Sequence, residues 1–336
     1  MAEDIQTAVI GAGAWGTALA WSLAERGAPV TLWARETEVV DTINQSRENR
    51  AYLPGVTLPQ SLRATSDIAG AARGARIVLL VIPTQFMRAA LTLFAPHIPP
   101  EAALVSAAKG IENETLALPV EIIEAVLGKR AAAASVTLTG PTFAREFVRR
   151  APTAATLASA DEGAARRAQA ALSAPWFRLY IHHDVIGAEL AGALKNVIAI
   201  AAGIADGLGF GNNTRAALIT RGLAEITRLG AAMGADPRTF SGLAGVGDLT
   251  LTCTSDLSRN HTVGFRLGKG EQIGQITASM RAVAEGVATA RAAVGLARKF
   301  GVETPIAEEV YRVLYENKEP GRAVADLMNR APRAEF

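Results

Sequence analysis

Residues 8 to 21, AVIGAGAWGTALAW, limit what this chain can fold into more than any other stretch. Ala8-Val9-Ile10 has the make-up of a strand end, and Thr17-Ala18-Leu19-Ala20-Trp21 that of an opening helix. Between them Gly11, Gly13 and Gly16 stand at G-x-G-x-x-G spacing. Spacing alone is weak, because 31 of the 336 residues are glycine. Context makes it specific: a second apolar run, Val30–Trp33, follows about twenty residues on, as a βαβ unit requires. In such a unit the first glycine permits the tight turn and the second lets a pyrophosphate approach the backbone. The third lets helix pack on strand, and the helix N-terminus faces the anion. The turn therefore predicts a dinucleotide site. The second strand ends Trp33-Ala34-Arg35-Glu36. An acid at this place binds ribose hydroxyls, whereas an arginine grips a 2′-phosphate. Arg35 favours NADP(H) or dual use, and Glu36 keeps NAD(H) open.

Further along, short β-rich runs alternate with helical patterns. Strands are expected at Thr7–Ile10, Val30–Trp33, Ile77–Ile82, Ala103–Ser106, Val136–Thr139, Ala154–Ala158 and Arg178–His182, with a first helix over Gly16–Arg26. After about residue 185 only helical spacing broken by glycine-rich turns remains. The expectation is an α/β domain with a mostly parallel sheet over 1–185, binding the dinucleotide, and an all-α domain over 186–336, binding substrate. Asn329–Phe336 reads as a loose tail. A net charge of +2 gives no reason to expect a nucleic-acid or membrane surface. The longest wholly apolar runs are too short to span a bilayer. One cysteine, Cys253, excludes an internal disulfide and fits a reducing compartment, and Met1-Ala2-Glu3-Asp4 is acidic where a secretory leader is basic. A cytoplasmic protein is expected.

Chemistry in a doubly wound sheet collects at the carboxyl ends of strands. There the sequence places SAAKGIE, with Lys109, and LTGPTFARE. The second domain opens with VIGAELAGALKNVIAIAAGIADGL, a helix apolar or small on nearly every side and therefore central. Lys195 has Ala191, Gly192, Ala199 and Ala202 beside it at helical spacing, which leaves room at the ammonium group. Snorkelling to solvent is the alternative. In SGLAGVGDLTLTCTSDLSRNHTVG, glycines 242, 245 and 247 shape a turn before Asp248, and Ser258-Arg259-Asn260 open a helix running to about Gly268. Arginine there suits a bidentate grip on phosphate. His182, His183 and His261 are not spaced with Cys253 as metal ligands, so no metal is expected.

Together, GAGAWGTALA, NRAYLPGVTLP, AAKGIE, TGPTFARE, LKNVIAIAAGIADGLGFGNNTRAALITRG, GLAGVGDLTLTCTSDLSRN and VAEGVATA closely resemble the bacterial NAD(P)-dependent glycerol-3-phosphate dehydrogenase family, in the family's order. The resemblance implies a Rossmann-type N-terminal domain and a C-terminal domain of the 6-phosphogluconate dehydrogenase C-terminal-like kind. It implies reversible reduction of dihydroxyacetone phosphate to sn-glycerol 3-phosphate for glycerophospholipid synthesis, and a homodimer. By motif, Gly11, Gly13, Ala14, Trp15 and Gly16 would form the cofactor loop, and Arg35 would lie near the adenosine 2′ position. Lys109 would meet cofactor and substrate. Gly140 and Thr142 would line the substrate pocket, with Ala144 by the cofactor. Lys195 matches the proton donor or acceptor, and Asp248, Ser258, Arg259 and Asn260 match substrate positions. Arg259, Val283 and Glu285 match cofactor contacts. Ala14 departs from the serine or asparagine of many relatives, which removes a side-chain hydrogen bond but not the glycine geometry.

On this reading Lys195 protonates the carbonyl oxygen, Lys109 stabilises its growing charge, Asp248 orients Lys195 and keeps it charged, and Arg259 with Asn260 holds the phosphate. A 2-dehydropantoate reductase or 3-hydroxyacid dehydrogenase would share the plan but needs a carboxylate grip. A non-catalytic NADPH sensor would need the glycine loop without Lys109, Lys195 and Asp248.

Overall fold

The computed structural model describes residues 5–281, 283–332 and 334–335. The chain divides into two compact units. One comprises the described residues up to Lys109 together with Ala117–Glu189; the other comprises Gly110–Leu116 together with those from Leu190 onward.

Eight strands make the sheet of the first unit: β1 (Thr7–Ile10), β2 (Val30–Trp33), β3 (Leu62–Thr65), β4 (Ile77–Leu80), β5 (Ala103–Ser106), β6 (Val136–Thr139), β7 (Thr153–Ala158) and β8 (Phe177–His182). Their order is β3-β2-β1-β4-β5-β6-β7-β8, parallel at every pairing except β6 with β7. The first six follow the doubly wound order of dinucleotide-binding sheets. Successive residues of a strand face opposite sides, and both sides are covered. Val9, Leu32, Leu79, Val105 and Leu138 enter one core with Leu19 and Leu23 of the Ala14–Glu25 helix. Ala8, Ile10, Val78, Leu80 and Leu104 enter the other with Met87 and Leu91 of the Thr84–Phe94 helix and Ile122 of the Pro119–Leu127 helix. Two buried faces explain why the central strands are apolar without alternation.

β3 was not among the expected strands. Leu-Arg-Ala-Thr carries little apolar signal, and Arg63 is exposed on this edge strand. Pairing with β2, from Val30 with Leu62 to Trp33 with Thr65, sets it in place. β4 ends at Leu80, two residues before its expected end, and the first helix starts at Ala14 rather than Gly16.

The second unit is helical, and no strand follows β8 among the described residues. Its central element is the Val185–Gly207 helix, which passes from the first unit into the second. By length and composition this helix could cross a membrane, yet 89% of its apolar window is buried, as in a core helix. Gly264 shows how the Arg259–Gly268 helix packs on it. A Cβ at Gly264 would overlap the carbonyl oxygen of Ile200. Of the expected tail, Arg333 and Phe336 lie outside the described residues. The last helix ends at Met328.

Candidate active site

In the first unit the turn after β1 is built by its glycines. Gly11 has φ +117°, where a side chain is strained, and a Cβ there would overlap the Val81 carbonyl. A Cβ on Gly16 would overlap the carbonyl of Gly11, so strand and helix meet backbone to backbone. Gly13 differs: a Cβ there would meet nothing within 4 Å. It is also the N-cap of the Ala14–Glu25 helix and offers no side chain to the first-turn N–H groups. The turn thus combines open space, first-turn donors that no N-cap side chain takes and the positive end of a helix, which is what a pyrophosphate requires. Trp15 stands edge-on to Phe147, with centroids 5.0 Å apart. Its buried Nε1 has no hydrogen-bond partner among the described residues. At the end of β2, Arg35 is exposed and pairs with Glu36 at 3.1 Å.

Beyond β5, Lys109 Nζ donates to the carbonyl of Gly140 at 2.8 Å and to Thr142 Oγ1 at 3.3 Å. Three of the expected residues therefore lie together, brought from two strand ends of one sheet. Gly140, at φ +132°, turns the chain after β6, and Ala144 starts the short Ala144–Phe147 helix.

In the second unit Lys195 is 6% exposed and Asp248 1%. Lys195 Nζ lies 2.8 Å from Asp248 Oδ1 and donates to Thr252 Oγ1 at 2.7 Å. The Thr252 hydroxyl donates in turn to the carbonyl of Asp248 at 2.6 Å. Glycines 242, 245 and 247 lie in or beside a tight turn before Asp248. Leu243–Gly247 is a π-helical turn, with Gly247 N–H bonded to the Gly242 carbonyl, feeding straight into the Asp248–Thr254 helix. A carboxylate at 2.8 Å favours the charged ammonium against the cost of burial. Thr252 had no place in the sequence reading. Its signal was available: Asp248 and Thr252 are four apart on one helix and share a face.

Ser258 caps the Arg259–Gly268 helix, its Oγ accepting from His261 N–H at 3.2 Å. Asn260 was expected to meet substrate, but its side chain is already engaged at both ends. Nδ2 donates to Asn196 Oδ1 at 2.8 Å, and Oδ1 accepts from Gly286 N–H at 3.0 Å. That ties together the Lys195 helix, the Ser258 cap and the Glu285–Phe300 helix, which begins with Glu285. Val283 is 44% exposed. His261 Nε2 lies 2.7 Å from Asp206 Oδ2, which also accepts from Arg215 at 2.8 Å. Cys253 is buried, and burial pushes its thiol up to about 12, which disfavours the thiolate. Among the described residues no group of three or more His, Cys, Asp or Glu could hold a metal ion.

A doubly wound sheet with an open glycine turn, followed by a helical unit with a buried lysine–aspartate pair, defines a nicotinamide-dependent oxidoreductase. The family profile for the NAD-dependent glycerol-3-phosphate dehydrogenase N-terminus matches residues 6–165, and that for the C-terminus matches 184–325. The chain is 55% identical to glycerol-3-phosphate dehydrogenase (NAD(P)+) of Citrifermentans bemidjiense over 335 residues, covering 100% of this chain and 99% of that one. It is 50% identical to the enzyme of the same name from Streptomyces griseus, with the same coverage. The crystal structure of glycerol-3-phosphate dehydrogenase from Coxiella burnetii superimposes with a TM-score of 0.93 at 36% identity, covering 97% of this chain and 99% of that one. The chain belongs to the NAD-dependent glycerol-3-phosphate dehydrogenase family and takes NAD(P)(H) as cofactor.

Proposed function

We propose that this chain catalyses the reversible NAD(P)H-dependent reduction of dihydroxyacetone phosphate to sn-glycerol 3-phosphate, with Lys195 as proton donor and acceptor. The observation that carries the reading is the buried Lys195–Asp248 pair at 2.8 Å. Residues 1–185 hold the cofactor and 186–336 carry the substrate. Gly13 N–H and the first turn of the Ala14–Glu25 helix receive the pyrophosphate, beside Trp15. Arg35 grips a 2′-phosphate, and Glu36 can serve the ribose hydroxyls when that phosphate is absent.

When bound, the reduced nicotinamide supplies a hydride to C2 of the ketone. The residues of this chain do the rest. Charge grows on the carbonyl oxygen, and the Lys195 ammonium gives it a proton; in reverse, neutral Lys195 takes the proton back. Asp248 and Thr252 fix the ammonium group in place. Lys109, ordered by Gly140 and Thr142, adds positive charge where the oxyanion develops. Ser258, Arg259 and Asn260 hold the phosphate, Arg259 through its guanidinium and the others through the helix start. With both Asn260 side-chain ends engaged, its backbone N–H is the natural phosphate donor. Ala144, Val283 and Glu285 complete the cofactor contacts. The enzyme works as a cytoplasmic homodimer feeding glycerophospholipid synthesis. The single unpaired cysteine supports the compartment and the family resemblance supports the dimer, which sedimentation would measure.

Initial rates with dihydroxyacetone phosphate, comparing NADPH with NADH at matched concentrations, test this. Oxidation of the nicotinamide is expected with either, and faster with NADPH if Arg35 governs the ribose. No oxidation by folded protein that still binds NADPH would overturn the reading and point to carboxylate substrates.

A further inference from the structure

The shape of the glycine turn is held from outside the turn. Asn49 lies 37 residues beyond Ala12 in the sequence and is 1% exposed. Its Nδ2 donates to the Ala12 carbonyl at 2.9 Å and to Thr17 Oγ1 at 2.8 Å, while the Thr17 hydroxyl donates to the same carbonyl at 3.3 Å. At its other end, Asn49 Oδ1 accepts from Tyr52 N–H at 3.2 Å, and the Asn49 carbonyl accepts from Leu53 N–H at 2.9 Å. One buried amide therefore ties the 49–53 turn to the middle of the glycine turn and to the first turn of the helix.

Peptide geometry makes this grip directional. In a trans peptide the carbonyl of one residue and the N–H of the next point opposite ways. Holding the Ala12 carbonyl toward Asn49 turns Gly13 N–H away from it, at the residue whose Cβ position is open space. We infer that Asn49 is a positioning residue for the dinucleotide, aiming Gly13 N–H at the pyrophosphate without touching the cofactor. The inference rests on the NAD(P)H-binding reading above. Without the Asn49 amide, the Ala12–Gly13 peptide keeps only the longer Thr17 hydroxyl bond, at 3.3 Å, and is held less firmly. The donor must then be re-ordered each time the cofactor binds, a cost that falls on cofactor affinity and not on the chemical step.

The test measures NADPH binding directly, by the change in its fluorescence, in wild type, Asn49→Ala, Asn49→Asp and Thr17→Val, with urea unfolding alongside. Asn49→Asp keeps the shape but cannot donate to Ala12. Loss of both Asn49 bonds is expected to raise the NADPH Kd at least about tenfold, and loss of the Thr17 hydroxyl, with its two bonds, about threefold. At saturating NADPH, kcat and the KM for dihydroxyacetone phosphate should stay within about twofold, because the lysine chemistry is untouched. Lower stability with unchanged NADPH Kd would make Asn49 merely structural and overturn the inference. If neither Asn49 variant folds, Thr17→Val decides, and unchanged affinity there overturns it. Wild-type protein that binds neither NADPH nor NADH would overturn the cofactor reading and the inference together. Wild-type binding matched by Asn49→Ala would overturn the inference alone.

Discussion

The glycine turn of the first unit and the lysine cluster of the second both offer positive potential, but they build it from different materials. At the turn the donors are backbone N–H groups at a helix start, and the decisive residues have no side chains: Gly11 and Gly16 because the backbone comes too close, Gly13 because space must stay open. In the second unit the donor is one ammonium group, buried at the middle of a helix and fixed by residues 53 and 57 positions away. A backbone site survives changes of side chain that leave its shape alone. A buried side-chain site fails when any partner is removed, because an unpaired charge stays behind.

That contrast can be broken by mutation. Asp248→Ala should have the largest effect, leaving Lys195 buried without its carboxylate. A loss of about 3–5 kcal/mol in urea unfolding is expected, with turnover falling too. Retained stability would mean that the pair contributes little. Arg259→Ala comes next: the KM for dihydroxyacetone phosphate should rise roughly tenfold to a hundredfold, the worth of a charge-assisted bond. An unchanged KM would move the phosphate elsewhere.

Two alanine substitutions separate the roles of the glycines within the turn. Gly11→Ala puts a side chain at φ +117° against Val81 and should cost about 1–3 kcal/mol of stability. Gly13→Ala, at φ −65° and facing open space, should leave stability within about 1 kcal/mol while weakening NADPH binding. Equal unfolding curves for the two would contradict the close approach described here.

The smallest effect is a slope with pH. Glu225 is buried and accepts from Ile306 N–H at 2.8 Å, at the start of the Pro305–Tyr315 helix. Burial raises its carboxyl to about 7. In the first unit Glu189 is likewise raised to about 7 by burial and accepts from Thr137 and from Val120 N–H. A raised carboxyl binds its proton more tightly in the folded state. Its stabilising share is therefore full below the unfolded pKa, near 4.5, and is lost as pH rises through 7. Stability should fall across that window by no more than about 1.4 kcal/mol per pH unit for each group. Glu225→Gln should remove one share of the slope. An unchanged slope would show that Glu225 is ionised throughout.

The two sites were unequally legible in the sequence for the same reason that they differ in construction. Gly11, Gly13 and Gly16 lie within six residues, so local spacing carried the whole device. Small neighbours around Lys195 pointed to a partly buried lysine with room beside it; its side chain is in fact almost fully buried. Thr252 was legible through its i, i+4 spacing from Asp248, but the tie between Asn196 and Asn260 depends on how helices distant in sequence are packed, which no periodicity records. Asn49 stood in the quoted NRAYLPG stretch without a role, because its partners lie across the sheet's first crossover. β3 was missed because an edge strand with one face exposed needs few apolar residues.

The most direct test of the account is Lys195→Ala, measured for turnover with dihydroxyacetone phosphate and for NADPH binding in the same preparation. Turnover lower by about a hundredfold to ten-thousandfold is expected, with the NADPH Kd unchanged. Turnover near that of wild type, in protein that folds and binds NADPH, would contradict it.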